Sequence, residues 1–85
     1  MYYTYVLQSL KDKKLYIGYS ANLRQRLEQH KIGGSISTKK RLPFQCVFYK
    51  AFLSKEDAKR REGYFKTTKG KKALKIMLKN STLDP

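Results

Sequence analysis

Acidic side chains are scarce in this chain: 6 Asp plus Glu stand against 20 Lys plus Arg in 85 residues, a formal net charge of +14. Cysteine is scarcer still. The single thiol, Cys46, excludes an internal disulfide and so the stapled secreted fold, and one cysteine with one histidine leaves no cluster at zinc-ligand spacing. Only five glycines occur, and none falls into a P-loop or a G-x-G-x-x-G phosphate cradle. No apolar run approaches the roughly 20 residues that span a bilayer. The first residues, MYYTYVLQSLKDKK, lack the basic segment, apolar run and cleavage site of a signal peptide. A cytoplasmic protein is expected. Nothing repeats, which excludes solenoids and collagen-like chains.

Against these absences stand 7 Tyr and 4 Phe within a hydrophobic fraction of 40%. Disordered chains are poor in aromatic residues, so one compact core is expected despite the charge. The length is too small for two ordinary domains or a large internal cavity. One domain over residues 1–85, with its core in about 2–78, is the expectation. Residues 59–79 hold nine Lys or Arg against one acid, Glu62. Nucleic acid is the partner that such a charge suits best, because basic side chains displace condensed counterions from phosphates. The plain alternative is a solvated, solubilising face. A membrane surface is a weaker third reading and is set aside.

Residues 2–9, YYTYVLQS, read as a strand, LKDK as a turn and residues 14–19, KLYIGY, as a second strand. A hairpin with Tyr5 opposite Tyr16 and Leu7 opposite Lys14 would set two phenols side by side on one face. In SANLRQRLEQHK, Leu23, Leu27 and His30 recur at helical spacing, with Ser20 or Asn22 as cap and Gly33-Gly34 as stop. Arg26 borders that inward stripe. Residues 33–43 read as a loop, and PFQCVFYKAF as a third strand, expected at the centre of the sheet. A second helix starts at Ser54 in a pattern like a capping box, and its inward stripe is Ala58, Glu62 and Phe65. A carboxylate in that stripe is anomalous unless it is paired, binds a metal or lines a cleft. A third helix is expected from Gly70. The fold class is therefore α+β, a three-stranded mostly antiparallel sheet flanked by about three helices.

Taken in order, Tyr3-Thr4-Tyr5-Val6-Leu7, Leu15-Tyr16-Ile17-Gly18-Tyr19, Asn22-Leu23-Arg24-Gln25-Arg26-Leu27 and Ala58-Lys59-Arg60-Arg61-Glu62 closely resemble the GIY-YIG nuclease domain, in the style of its small stand-alone bacterial members. Each string alone is weak; the ordered set on this frame is specific. The resemblance matches Tyr5 and Tyr16 to the two motif tyrosines, Arg26 to the family arginine, His30 to the histidine one turn later and Glu62 to the metal-binding glutamate. It implies hydrolysis of phosphodiester bonds in DNA, with Mg²⁺ or Mn²⁺ held by Glu62 and the scissile phosphate held by Arg26. Tyr5, Tyr16 and His30 are competing candidates for positioning or deprotonating water. Gly18, Arg24, Lys66 and Lys69 are candidate substrate contacts. Tyr5 and Tyr16 could instead pack as a cross-strand pair, Arg26 could be an ordinary surface arginine, and Glu62 could simply pair with Lys66.

Three departures accompany the match. The first motif is Tyr-Thr-Tyr rather than Gly-Ile-Tyr, Tyr19 stands where a DNA-repair branch often carries lysine, and Asn80 lies too far along to match an asparagine found after the glutamate in several branches. With no targeting domain in the chain, selectivity is expected to follow DNA structure or a partner protein. The rival reading is a basic nucleic-acid-binding module of the same fold with little or no catalysis.

Overall fold

The computed structural model describes residues 1–34 and 39–83. Three strands, β1 (Tyr2–Ser9), β2 (Leu15–Ser20) and β3 (Phe44–Phe52), form one antiparallel sheet in the order β2-β1-β3. Three helices, α1 (Leu23–Lys31), α2 (Lys55–Phe65) and α3 (Thr68–Met77), cover it. Part of the glycine- and lysine-rich loop expected over residues 33–43, positions 35–38, lies outside the described residues; a short 3₁₀ turn follows at Lys39–Arg41.

The third strand, expected at the centre of the sheet, is not central. β1 is: its last six residues are all buried, whereas β3 is half exposed along an outer edge. The hairpin takes the other edge of β1. Its register also differs from the expectation, with Tyr5 opposite Gly18 and Leu7 opposite Tyr16. The turn is longer than expected. Ser9 Oγ accepts from the amides of Lys11 and Asp12, the Asp12 carboxylate accepts from the Lys14 amide, and Lys13 sits at φ 63°. The shift is an even number of residues, so every side chain keeps its face.

Alternation along β1 divides the labour between the two faces. Thr4, Val6 and Gln8 face α2 and α3. There Val6 packs with Ile17, Phe65, Leu74 and Leu78, Thr4 Oγ1 donates to the Ala58 carbonyl at 2.6 Å, and the Gln8 amide group exchanges two hydrogen bonds with Leu83. Tyr3, Tyr5 and Leu7 face α1. Replacing Thr4 with valine should leave the Ala58 carbonyl without its donor and cost about 1–2 kcal/mol. That corresponds to a melting temperature lower by roughly 5–15 °C, measurable by thermal denaturation.

Local signals set the helix ends. Asn22 caps α1 by accepting from the Gln25 amide, and Gly33, at φ 77°, ends it in the left-handed conformation. Ser54 caps α2 through the Asp57 amide, while the Asp57 carboxylate pairs with Arg60 at 3.0 Å. α3 begins earlier than expected, because Thr67 caps it through the amide of Gly70. Gly70 thus lies inside the helix, and a Cβ there would overlap the Tyr64 carbonyl. The glycine marks a backbone-on-backbone contact between α2 and α3 rather than a helix start.

Candidate active site

On the α1 face of the sheet, four of the expected residues meet. Tyr5 Oη and His30 Nε2 share a hydrogen bond of 2.9 Å, and each residue is 1% exposed. The Tyr16 ring lies 6.5 Å from that of Tyr5 and 5.3 Å from the His30 imidazole. The two phenols are diagonal rather than opposite neighbours, one consequence of the register. Gly18 completes the group from across β2: a Cβ there would overlap the Tyr5 phenol. The space before Gly18, expected for substrate, belongs to Tyr5.

A column of side chains fixes His30 from behind. Its ring meets Phe44 at 6.3 Å, the Arg41 guanidinium lies 5.6 Å over Phe44, and Arg41 Nε pairs with Asp12 at 3.3 Å. His30, read from its spacing as part of the inward stripe, is buried in the interior.

Charges reach this cluster from both covering layers. Arg26, on α1, is exposed, yet its charge lowers the pKa of both Tyr5 and His30. Glu62, on α2, is about one-quarter exposed and its negative charge acts on the same phenol in the opposite sense. Burial dominates for both members of the buried pair. It pushes Tyr5 well above the usual phenol range, with the Tyr16 phenol adding to the rise, and it pushes His30 below 6.5, with Arg26 adding to the fall. Both are neutral at pH 7.

Linkage turns these directions into a stability window. Below pH 6.5 an unfolded chain protonates His30 more readily than the folded one, so stability present above that pH is lost as pH falls through 6.5 toward the depressed folded value. Above pH 10 an unfolded chain ionises Tyr5 more readily, so stability is lost there as pH rises. Thermal melts should show a plateau between about pH 6.5 and 10 from these two groups. The acid limb should flatten in His30→Phe and the alkaline limb in Tyr5→Phe.

Glu62 Oε2 accepts from Lys66 Nζ at 3.2 Å, so the plain pairing and the half-buried placement coexist. Among the described residues no group of three or more His, Cys, Asp or Glu gathers to hold a metal. A lone carboxylate suits magnesium nonetheless, which takes one or two carboxylates, keeps several waters and accepts phosphate oxygens as its remaining ligands. Lys69 is exposed in the first turn of α3. Arg24 lies apart from the cluster and lines a groove of about 470 Å³ with Tyr3 and Tyr49. Neither tyrosine was singled out from the sequence. Alternation on β1 places Tyr3 on the face of Tyr5, but Tyr49 joins them only through pairing across 44 residues of chain.

Comparison with known proteins places the chain in one family. The family described as the GIY-YIG catalytic domain matches residues 1–75. The chain is 38% identical over 85 residues to a UPF0213 protein of Pediococcus acidilactici, covering 96% of this chain and 86% of that one. A UPF0213 protein of Streptococcus pyogenes serotype M3 is 44% identical over 68 residues, covering 79% and 73%. The solution NMR structure of a UPF0213 protein from Bacillus halodurans is similar at a TM-score of 0.56 and 36% identity, covering 91% of this chain and 85% of that one. No helix among the described residues is long and apolar enough to cross a membrane.

Proposed function

The chain belongs to the GIY-YIG catalytic domain family, and we propose on that footing that it is a divalent-metal-dependent endonuclease that hydrolyses phosphodiester bonds in DNA. The observation that carries the reading is the buried Tyr5–His30 hydrogen bond, flanked by Tyr16 and influenced by Arg26 and Glu62 together.

Each side chain takes a role from its position. Tyr16 is partly exposed, unlike Tyr5 and His30, and orients the attacking water through its hydroxyl. Tyr5 stays a neutral phenol at pH 7 and acts by its hydrogen bond rather than as a ready phenolate. His30, neutral behind it, is the group able to accept a proton passed along the Tyr5 hydroxyl. Arg26 reaches out from α1 and takes the non-bridging oxygens of the scissile phosphate, where its fork of donors offsets developing charge. Glu62 would hold Mg²⁺ or Mn²⁺, which when bound supplies a Lewis acid for the phosphate and leaving oxygen. The +14 charge draws the polyanion to the surface, with Lys66 and Lys69 near the α2–α3 junction placed to meet its phosphates.

One observation favours the rival reading, a binding module with little catalysis: Lys66 already occupies one oxygen of the carboxylate assigned to the metal. A pair of this kind, with its lysine end in solvent, is worth about 1 kcal/mol, which a divalent cation readily exceeds. The deciding experiment incubates the protein with supercoiled, branched and single-stranded DNA, in Mg²⁺ or in chelator. Cleavage in Mg²⁺ alone is expected. Binding without cleavage on every substrate would leave the module reading in its place.

A further inference from the structure

Arg24 and Arg26 are two residues apart on α1, which turns them about 200° from each other around the helix axis. Arg26 therefore belongs to the flank whose charge acts on Tyr5, and Arg24 to the opposite flank, where the 470 Å³ groove opens. The floor of this groove is the sheet. Tyr3 and Tyr49 stand on adjacent strands at a centroid distance of 6.4 Å, tilted by 59°. Leu23 and Leu27 form the helical wall, and Arg24 and Asn22 supply its polar edge.

Tyr49 is 59% exposed, which leaves its ring accessible from the groove. Among the described residues no acidic side chain lines the groove. A flat hydrophobic face beside an aliphatic wall, with a guanidinium at the rim, has the makings of a nucleobase site. The ring offers stacking, and Arg24 offers a partner for the adjoining phosphate. A paired base hides both faces in its own stack, so the occupant must be unpaired.

We propose that this groove binds an unpaired base of the nucleic-acid strand, stacked on Tyr49 with Tyr3 as its backstop and Arg24 on the phosphate. The inference rests on the nucleic-acid reading above and narrows its substrate to strands with unpaired nucleotides: gaps, flaps, bulges or single strands. A strand crossing the N-terminal end of α1 meets Arg24 on one side and Arg26 on the other. The helix then acts as a divider between a base-holding groove and the Tyr5–His30 cluster.

The test is a binding measurement in chelator, so that cleavage plays no part. A fluorescently labelled single-stranded oligonucleotide is compared with the same oligonucleotide carrying abasic sites, which keeps every phosphate and removes the stacking faces. The natural protein should bind the base-bearing strand at least about fivefold more tightly, the lower end of what one stacked base contributes. Tyr49→Phe should keep this preference and Tyr49→Ala should lose it, with unchanged thermal melting for both, since the side chain is largely exposed. The same pair of strands made in RNA shows which backbone the groove accepts. Equal affinity for base-bearing and abasic strands, or a preference that survives in Tyr49→Ala, would overturn the proposal. Because cleavage is read separately, loss of the preference beside intact Mg²⁺-dependent cleavage removes the groove alone. A preference without any cleavage removes the catalytic reading alone.

Discussion

Arg26→Ala should slow cleavage by roughly 10²–10³-fold, the range seen when one donor to a developing oxyanion is removed. The protein should stay folded, because Arg26 is exposed on α1 and surface replacements of that kind seldom move stability by more than about 0.5 kcal/mol. Affinity for DNA should fall far less than the rate, since one charge among twenty cations contributes little to binding. Single-turnover cleavage rates beside a binding isotherm separate the two. Arg26→Lys should recover only part of the loss, because an ammonium cannot span two phosphate oxygens as a guanidinium does. A further signature comes from the cluster behind. Arg26 helps depress His30, so its removal should raise the His30 pKa and move the acid limb of the pH–rate profile to higher pH. A replacement that acted only through folding would lower the rate equally at every pH. A rate unaffected by Arg26→Ala would remove this residue from the chemistry.

Gly70→Ala should destabilise the protein by about 3 kcal/mol or more, at the upper end of what overpacking costs. Intrinsic preference points the other way, since alanine favours a helix interior over glycine by about 1 kcal/mol. The sign is decided by what surrounds the position: a Cβ would overlap the backbone carbonyl of Tyr64, and backbone cannot swing aside as a flexible side chain can. Gly63, inside α2, is the internal control. Nothing lies within 4 Å of a Cβ built there, so Gly63→Ala should follow propensity and gain about 0.4–1 kcal/mol. Two glycine-to-alanine changes in adjacent helices should thus move the melting temperature in opposite directions, about 12–24 °C down for Gly70 and a few degrees up for Gly63. If both were stabilising, the close packing of α3 on the end of α2 would be wrong.

The Gly70 case also shows where a sequence stops speaking. A glycine near a lysine-rich amphipathic run reads as a helix boundary, and only the neighbouring helix reveals that it is an interior contact. Caps at Asn22 and Ser54 were legible because each is a bond between residues three apart. The faces of Tyr5 and Tyr16, and the half-buried position of Glu62, were legible because period alone dictates them. The central place of β1 was not: it depends on which edge β3 takes, a choice made between residues 35 or more apart. The hairpin register slipped from expectation because Lys13 adopts a left-handed conformation that no glycine or asparagine advertises. The groove was invisible for the same non-local reason, since Tyr3 and Tyr49 meet only across paired strands.

Alternation along β1 has one more consequence. Tyr5 sits between Thr4 and Val6, so the strand that presents the phenol on one face presents the anchor of the hydrophobic interior on the other. A slip of one residue would exchange the two sets outright. The register of β1 thus couples the Tyr5–His30 contact to the seating of Val6 in the hydrophobic interior, so one pairing choice sets both at once.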